Sequence, residues 1–475
     1  MKTTTAVSIL KATIGNPVTR NILKPLSKYC KKDGKNRIEV AIELYTGRRE
    51  DACFTCRNTS RIIRKVLIKG GKAFGLDEDE IKEKFRNSYW AKALASTIKG
   101  IAFFGVRRPF TAGAPYQVVW DITTACNLKC KHCYSTSGKK GEDELSTEEA
   151  KKAIDIMANA GVTIIAFSGG EPLVRPDIFE LARYSADKGI YVAMATNATL
   201  ITKEVAKKMR ESGIEFVQIS LDGANPETHD SFRGVKGAFE KTIRGIKNCV
   251  EEGFFVEIST TATHFNYKQI PEIIDLCEKL KVNWFMVFNF VPTGRGKFIV
   301  ENDLTPEERE ELLHMLWRKS KESSVEILST APQFARVALQ EESKKENGIV
   351  IPTHFCNPSL QGQLIDLAEF IGGCGAGRFY LAMEANGDLQ PCVFFPLKIG
   401  NILEDDFEEL WRKNRVLEEL RNKDIIKKCK ECDYRYYCGG CRARAYGYFG
   451  DYLMPDPGCI NNIDFYEEAK KKWMK

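Results

Sequence analysis

Between Gly113 and about Pro292 the chain alternates short apolar runs with amphipathic stretches. Tyr116 to Ile122, Val162 to Phe167, Tyr191 to Ala195, Phe216 to Ser220, Phe255 to Ser259 and Trp284 to Phe290 read as strands. The second is apolar along nearly its whole length, as a strand covered on both faces must be. After the first, Ser146 and Glu149 frame a capping box, and Ala150, Ile154, Met157 and Ala158 fall on one helical face. Strands alternating with helices predict βα units on a parallel sheet. The flanking regions have other patterns. Arg37 to Tyr45, Thr55 to Phe74 and Ala91 to Val106 have helical spacing, so residues 1–112 read as a helical extension. Thr305 caps a helix with Pro306 at its first position and, with the polar tract Gln340 to Asn347, makes 301–355 a helical connection. Asn386 and Gly387 mark a hairpin turn in the last segment, 356–475.

A chain of 475 residues exceeds one ordinary core, so these segments are expected to be domains, with 113–300 as the α/β core. Hydrophobic residues at 43% and charged residues at 28% describe a globular chain, and no apolar run is long enough to span a membrane. The net charge of +7 is a mild excess that calls for no nucleic acid. The first residues, MKTTTAVSILKATIG, lack a signal-peptide core, so a cytoplasmic protein is expected. In such a compartment the sixteen cysteines serve metals rather than disulfides.

The chemistry concentrates directly after the first strand. Cys126, Cys130 and Cys133, spaced C-x3-C-x2-C, place three soft ligands in eight residues. Three thiolates on a four-iron cluster leave one iron open to another molecule. A zinc knuckle is the alternative, with His132 turned away from its neighbours. Every further motif also follows a strand: SGGEP with Gly169, Gly170 and Glu171, ATNA with Asn197, and SLDG with Ser220 and Asp222. Arg233 in DSFRG is a candidate bidentate partner for a carboxylate, and Asp222 can equally cap its turn. VPTGRG, Val291 to Gly296, ends the sixth unit.

These motifs resemble the radical S-adenosylmethionine superfamily. The resemblance implies a partial (β/α)6 barrel with its site at the C-terminal ends of the strands. It implies that Cys126, Cys130 and Cys133 hold a catalytic 4Fe-4S cluster whose free iron chelates S-adenosylmethionine. A reduced ferredoxin or flavodoxin-type donor would supply the electron, and the product radical takes hydrogen from an inert C–H bond. Gly169, Gly170, Glu171, Asn197, Ser220 and Arg233 are the expected contacts to S-adenosylmethionine, with Glu171 on its amino group and VPTGRG near adenine. Such solvent-open clusters are oxygen-labile and imply an anaerobic setting.

The C-terminal segment holds seven more cysteines in 86 residues, with Cys356 upstream. They resemble the SPASM extension, a small cysteine-rich α+β domain that binds two auxiliary 4Fe-4S clusters. By that resemblance Cys374, Cys392 and Cys441 hold the nearer cluster, and Cys429, Cys432, Cys438 and Cys459 the outer one. The fourth ligand of the nearer cluster is Cys356, another side chain or substrate, and a zinc ribbon over Cys429 to Cys441 is the alternative. Three 4Fe-4S clusters and S-adenosylmethionine are thus the expected cofactors.

The expected substrate is a peptide or other large molecule, the alternatives being a porphyrin or membrane lipid chains; a non-catalytic electron carrier is the rival from another class. Ala91 to Val106, carrying Lys92 and Lys99 and running into Arg107 and Arg108, is the one stretch suited to peripheral membrane contact. Packing on the core is its other reading. Cys53 and Cys56 supply half of a tetrahedral site and Cys30 a third ligand, but packed thiols are the expectation there.

Overall fold

The computed structural model describes residues 6–73, 76–342, 349–353, 357–360 and 367–473. Cys356 and most of the tract from Gln340 to Asn347 lie outside them. The six expected strands form, as Gln117–Thr123, Ile164–Gly169, Tyr191–Thr196, Ile214–Ser220, Phe255–Ala262 and Trp284–Asn289, each parallel to the next. The cause is visible in the packing. Val118, Trp120 and Ile122 on the first strand and Ile165 and Phe167 on the second are buried against helices that cover the sheet. The capping box at Ser146 and Glu149 starts the first of these helices, and Ala150, Ile154 and Met157 are buried on its inner face.

The sheet is longer than the six repeats. Glu326–Ser329, inside the stretch expected to be wholly helical, adds a seventh parallel strand beside Trp284–Asn289. On the other edge Tyr380–Met383 runs parallel to the first strand and continues through Asp388–Gln390 to Gly400–Asn401, giving ten strands in one sheet. The cysteine-rich segment therefore shares the barrel's sheet, and its hairpin turns at Asn386 and Gly387 as the sequence predicts. A buried ionic network adds a second seam. Asp303 accepts from Arg309 at 2.7 Å, Arg444 at 2.5 Å and Tyr448 at 2.6 Å, and Arg444 also donates to Asn289 at 2.7 Å.

The N-terminal extension builds its own small core from Leu23, Ile38, Ile42, Ile63 and the inner face of the helix Ser88–Phe104. That helix is the one suited by sequence to a membrane surface, and the structure commits it to internal packing. Lys92 and Lys99 are only 3% and 2% exposed. The Lys92 ammonium donates to the Lys188 carbonyl at 3.2 Å, and Lys99 to the Ala160 carbonyl and the Glu408 carboxylate at 2.9 Å each. Arg108 pairs with Glu369 and lies over the Tyr436 ring. Three of the basic groups expected at lipid headgroups, Lys92, Lys99 and Arg108, are thus ties from the extension to the barrel and to the C-terminal segment, while Arg107 is exposed and lies over the Phe104 ring. Among the described residues no helix is long and apolar enough to cross a membrane. Lys99→Met should leave the Ala160 carbonyl and Glu408 without their buried partner and cost about 1–3 kcal/mol, read as an earlier denaturant midpoint at unchanged slope.

Candidate functional site

The loop bearing Cys126, Cys130 and Cys133 leaves the first barrel strand and is closed by reciprocal bonds, Cys126 N–H to Gly138 O at 3.0 Å and Gly138 N–H to Thr124 O at 2.8 Å. The segments after the second and sixth strands hold it from either side. Gly170 and Glu171 donate their N–H groups to Thr123 O and Ala125 O. A Cβ on Gly170 would stand 2.0 Å from Ala125 O, so this position admits only glycine. Gly294, at φ +54, has Tyr134 O 2.2 Å from where its Cβ would be. Arg295 follows it, a residue sequence reasoning passed over within VPTGRG. Its N–H donates to Cys133 O at 2.8 Å and its guanidinium to Cys130 O at 3.0 Å and Ser137 O at 2.5 Å. Three carbonyls gathered by one arginine were the recoverable signal only once the fold placed them together.

All three thiols line one cavity of about 680 Å³ that runs down the barrel, with Gly169, Gly170, Asn197, Ser220 and Arg233 also in its wall. Glu171 is fully buried and is not in that wall. Its carboxylate accepts from Thr196 Oγ1 at 2.7 Å, Asn197 N–H at 2.8 Å and Leu173 N–H at 3.2 Å. Burial pushes its pKa up and those donors oppose the rise. In this structure the Glu171 carboxylate holds the Thr196–Asn197 turn. Glu171→Gln sets an amide N–H against one of these donors and should lower stability by about 1–3 kcal/mol, checked by thermal unfolding. Asn197 in turn donates to Asn127 at 2.8 Å and accepts from Thr199, which joins the third strand's end to the cysteine loop.

Arg233 pairs with Asp222 at 2.5 Å, and its Nη1 lies 3.6 Å from the Cys130 sulfur, so its guanidinium stands between that carboxylate and the thiols. Burial would raise the Asp222 pKa, but Arg233, His132 and His229 outweigh it and hold it below the usual range. Asp222 also accepts from Thr261 N–H at 2.8 Å, across to the fifth strand. His132 stacks on Phe232 with centroids 4.2 Å apart, and its Nε2 lies 3.6 Å from the Asp222 carboxylate. Burial pushes the Cys126 thiol up to about 11. A free thiol there is protonated near neutral pH, so metal binding releases protons and is favoured as pH rises. The donor set fits a cubane cluster: three soft ligands on a small apolar cluster with Leu128 and Ala238, and one buried guanidinium offering positive charge.

The C-terminal thiols lie near enough to one another to shift each other's protonation. Cys392 has its thiol pushed up by burial and then by the charges of Cys374 and Cys441. Cys438 is raised by burial and by Cys459 and Cys429, and Cys432 acts on Cys429. Buried cations surround them: Lys423 Nζ and Arg442 Nη2 have no hydrogen-bond partner among the described residues. Unpaired buried cations are costly unless anions face them, and thiolate-ligated iron–sulfur clusters are such anions. Cys392 also lines the barrel cavity, so the nearer thiol group borders the same space as the radical-type triad.

A parallel α/β barrel with three thiols at one mouth and further thiol groups beside it defines an iron–sulfur enzyme. The Radical SAM superfamily matches residues 120–277, and an iron-sulfur cluster-binding domain, SPASM, matches residues 374–433. The AdoMet-dependent heme synthase of Methanosarcina barkeri is 40% identical over 361 residues, which cover 75% of this chain and 98% of that protein. A mycofactocin maturase of Mycolicibacterium smegmatis is 33% identical over 353 residues, covering 73% and 83%. The crystal structure of Streptococcus suis SuiB bound to S-adenosylmethionine shares the fold, with TM-score 0.60 at 19% identity over 90% of this chain and 96% of that one. The chain belongs to the radical S-adenosylmethionine superfamily and carries a C-terminal SPASM domain. It is an enzyme whose cofactors are 4Fe-4S clusters and S-adenosylmethionine.

Proposed function

We propose that this enzyme abstracts hydrogen from a peripheral side chain of an iron tetrapyrrole held in the barrel cavity. The observation that carries this is the 40% identity to a heme synthase across 98% of that protein. The cavity agrees with it in size and lining. At about 680 Å³ it is in the range of cofactor pockets, and Phe216, Phe255, Trp284 and Met286, toward the starts of their strands, give it an apolar wall. Phe216 and Phe255 lie nearly parallel at 5.5 Å, with Trp284 edge-on to both. A planar macrocycle with apolar faces suits such a wall. A peptide, the sequence's first reading, is the second candidate, favoured by the likeness to mycofactocin maturase.

In this reading Cys126, Cys130 and Cys133 hold the catalytic cluster. S-adenosylmethionine bound there supplies a hydrogen-abstracting carbon radical. The protein's own contribution is position and dryness. Arg295 fixes the loop through its carbonyls, Glu171 fixes the Asn197 turn, and Gly169, Gly170, Asn197 and Ser220 present the wall that S-adenosylmethionine meets. The cavity's aromatic lining keeps water from the reacting carbon. Cys374, Cys392 and Cys441 would hold a nearer auxiliary cluster and Cys429, Cys432, Cys438 and Cys459 an outer one, three clusters in all. Bound there, they would supply a path for the electron left on substrate after hydrogen abstraction, and a reduced ferredoxin or flavodoxin-type protein would supply the first.

Anaerobic titration with an iron porphyrin bearing carboxylate side chains tests the substrate class. A saturable one-to-one shift of the Soret band is expected, lost when Phe216→Lys places a charge in the wall. No saturable shift would overturn the tetrapyrrole reading in favour of a peptide.

A further inference from the structure

The N-terminal extension lies outside the residues matched by the family and contains a thiol cluster that the reaction does not use. Cys30, Asp33, Cys53 and Cys56 bring one ligand atom each to within 4.8 Å of all the others. Among the described residues no other group of three or more cysteine, histidine or acidic side chains gathers so tightly. The Cys30 sulfur is 3.6 Å from that of Cys53 and 3.3 Å from Asp33 Oδ2. A tetrahedral zinc ion with bonds of about 2.3 Å to sulfur sets its ligand sulfurs about 3.8 Å apart, and its sulfur–oxygen edges slightly shorter. The sulfurs are too far apart for a disulfide, whose S–S bond is about 2.05 Å. They are too close for a four-iron cluster, whose ligands stand outside the four irons.

Local structure prepares the four ligands. Cys30 and Asp33 sit on the tight hairpin between Tyr29–Cys30 and Lys35–Asn36, where Gly34 N–H bonds to Cys30 O at 2.8 Å. Cys53 and Cys56 open the helix Phe54–Ala73, whose N-terminal dipole favours negative ligands. The spacing is C-x2-D-x19-C-x2-C, a paired zinc-site pattern with one cysteine replaced by aspartate. Asp33 is oriented for ligation by its other oxygen. Oδ1 accepts from Cys53 N–H at 3.0 Å and faces Arg49 at 3.5 Å, which leaves Oδ2 toward the sulfurs. Cys30 and Cys56 are buried, and only the small apolar cluster of Val40 and Ala52 packs with them.

We propose that Cys30, Asp33, Cys53 and Cys56 bind one zinc ion in a closed structural site. Four protein ligands leave no open position, so the ion performs no catalysis there. It staples the hairpin to the start of the long helix, where the apolar core is too small to do so alone. That helix packs on Arg37–Tyr45, which in turn packs on the barrel-docking helix Ser88–Phe104, so the ion fixes the extension against the enzyme.

The test is metal analysis of the full chain, purified anaerobically with its iron–sulfur clusters, with zinc K-edge X-ray absorption. About one zinc per chain is expected, with three sulfur neighbours near 2.3 Å and one oxygen near 2.0 Å. Cys53→Ser with Cys56→Ser should lower zinc at least tenfold while iron content stays unchanged. Because that variant can lose the extension's fold, Asp33→Cys is the companion: it should retain zinc and change the shell to four sulfurs. Zinc below a tenth of an equivalent in the unaltered chain, a Cys30–Cys53 disulfide, or an unchanged shell in Asp33→Cys would each overturn the assignment.

Discussion

Replacing Cys126, Cys130 and Cys133 together by alanine is expected to abolish cleavage of S-adenosylmethionine. It should also remove about four of about twelve irons per reconstituted chain, the content of three 4Fe-4S clusters. The three triad cysteines pack with Leu128 and Ala238 on their own small apolar cluster, while Cys374, Cys429, Cys438 and Cys459 of the C-terminal segment lie near Lys423, Arg336 and Arg442. Loss of one group leaves the ligands of the others in place. Iron assay and chromatographic detection of 5′-deoxyadenosine read both effects. A variant that keeps cleavage activity, or that loses all its iron, would contradict the assignment.

The second large effect is on stability. Arg444 is fully buried, with Asp303 and Asn289 of the barrel side on its guanidinium and Asp456 3.4 Å from its Nε. Burial would lower its pKa, but Asp303 and Asp456 reverse that and raise it. Arg444→Met removes the charge that Asp303 and Asp456 face. Asp303 keeps Arg309 at 2.7 Å, but Asp456 loses its ion pair with Arg444, and a buried carboxylate left without its partner makes such changes cost about 3–5 kcal/mol. Asp456 additionally accepts from Gln333 at 2.6 Å and from Cys441 N–H at 2.8 Å, so the variant should also loosen the loop carrying Cys441. Calorimetric unfolding is expected to show a large fall in midpoint, with auxiliary iron lost before the catalytic cluster. A midpoint unchanged within a degree would show that the seam is held by the sheet alone.

The six barrel strands were legible because each is an apolar run bounded by turn residues, and a parallel strand buried on both faces has no other pattern. Glu326–Ser329 was hidden because four residues beginning with a glutamate carry too little periodicity. Its strand character comes from pairing with Trp284–Asn289, a tertiary effect. The cysteines were legible by spacing alone. The partners of their neighbours were not: only folding sets the Glu171 carboxylate on the Asn197 turn and the Arg233 guanidinium between Asp222 and Cys130. Lys92 and Lys99 show the converse. A helix with two lysines reads as a surface element until the backbone carbonyls and carboxylate that receive them are known.

On our proposal the barrel cavity brings a tetrapyrrole side chain to the carbon radical drawn from S-adenosylmethionine. An iron porphyrin deuterated on its side chains, incubated anaerobically with the reconstituted enzyme, reductant and S-adenosylmethionine, tests this through the mass of the 5′-deoxyadenosine formed. 5′-Deoxyadenosine carrying one deuterium is expected, in step with loss of the starting porphyrin. Unlabelled 5′-deoxyadenosine with the porphyrin recovered intact would contradict the proposal.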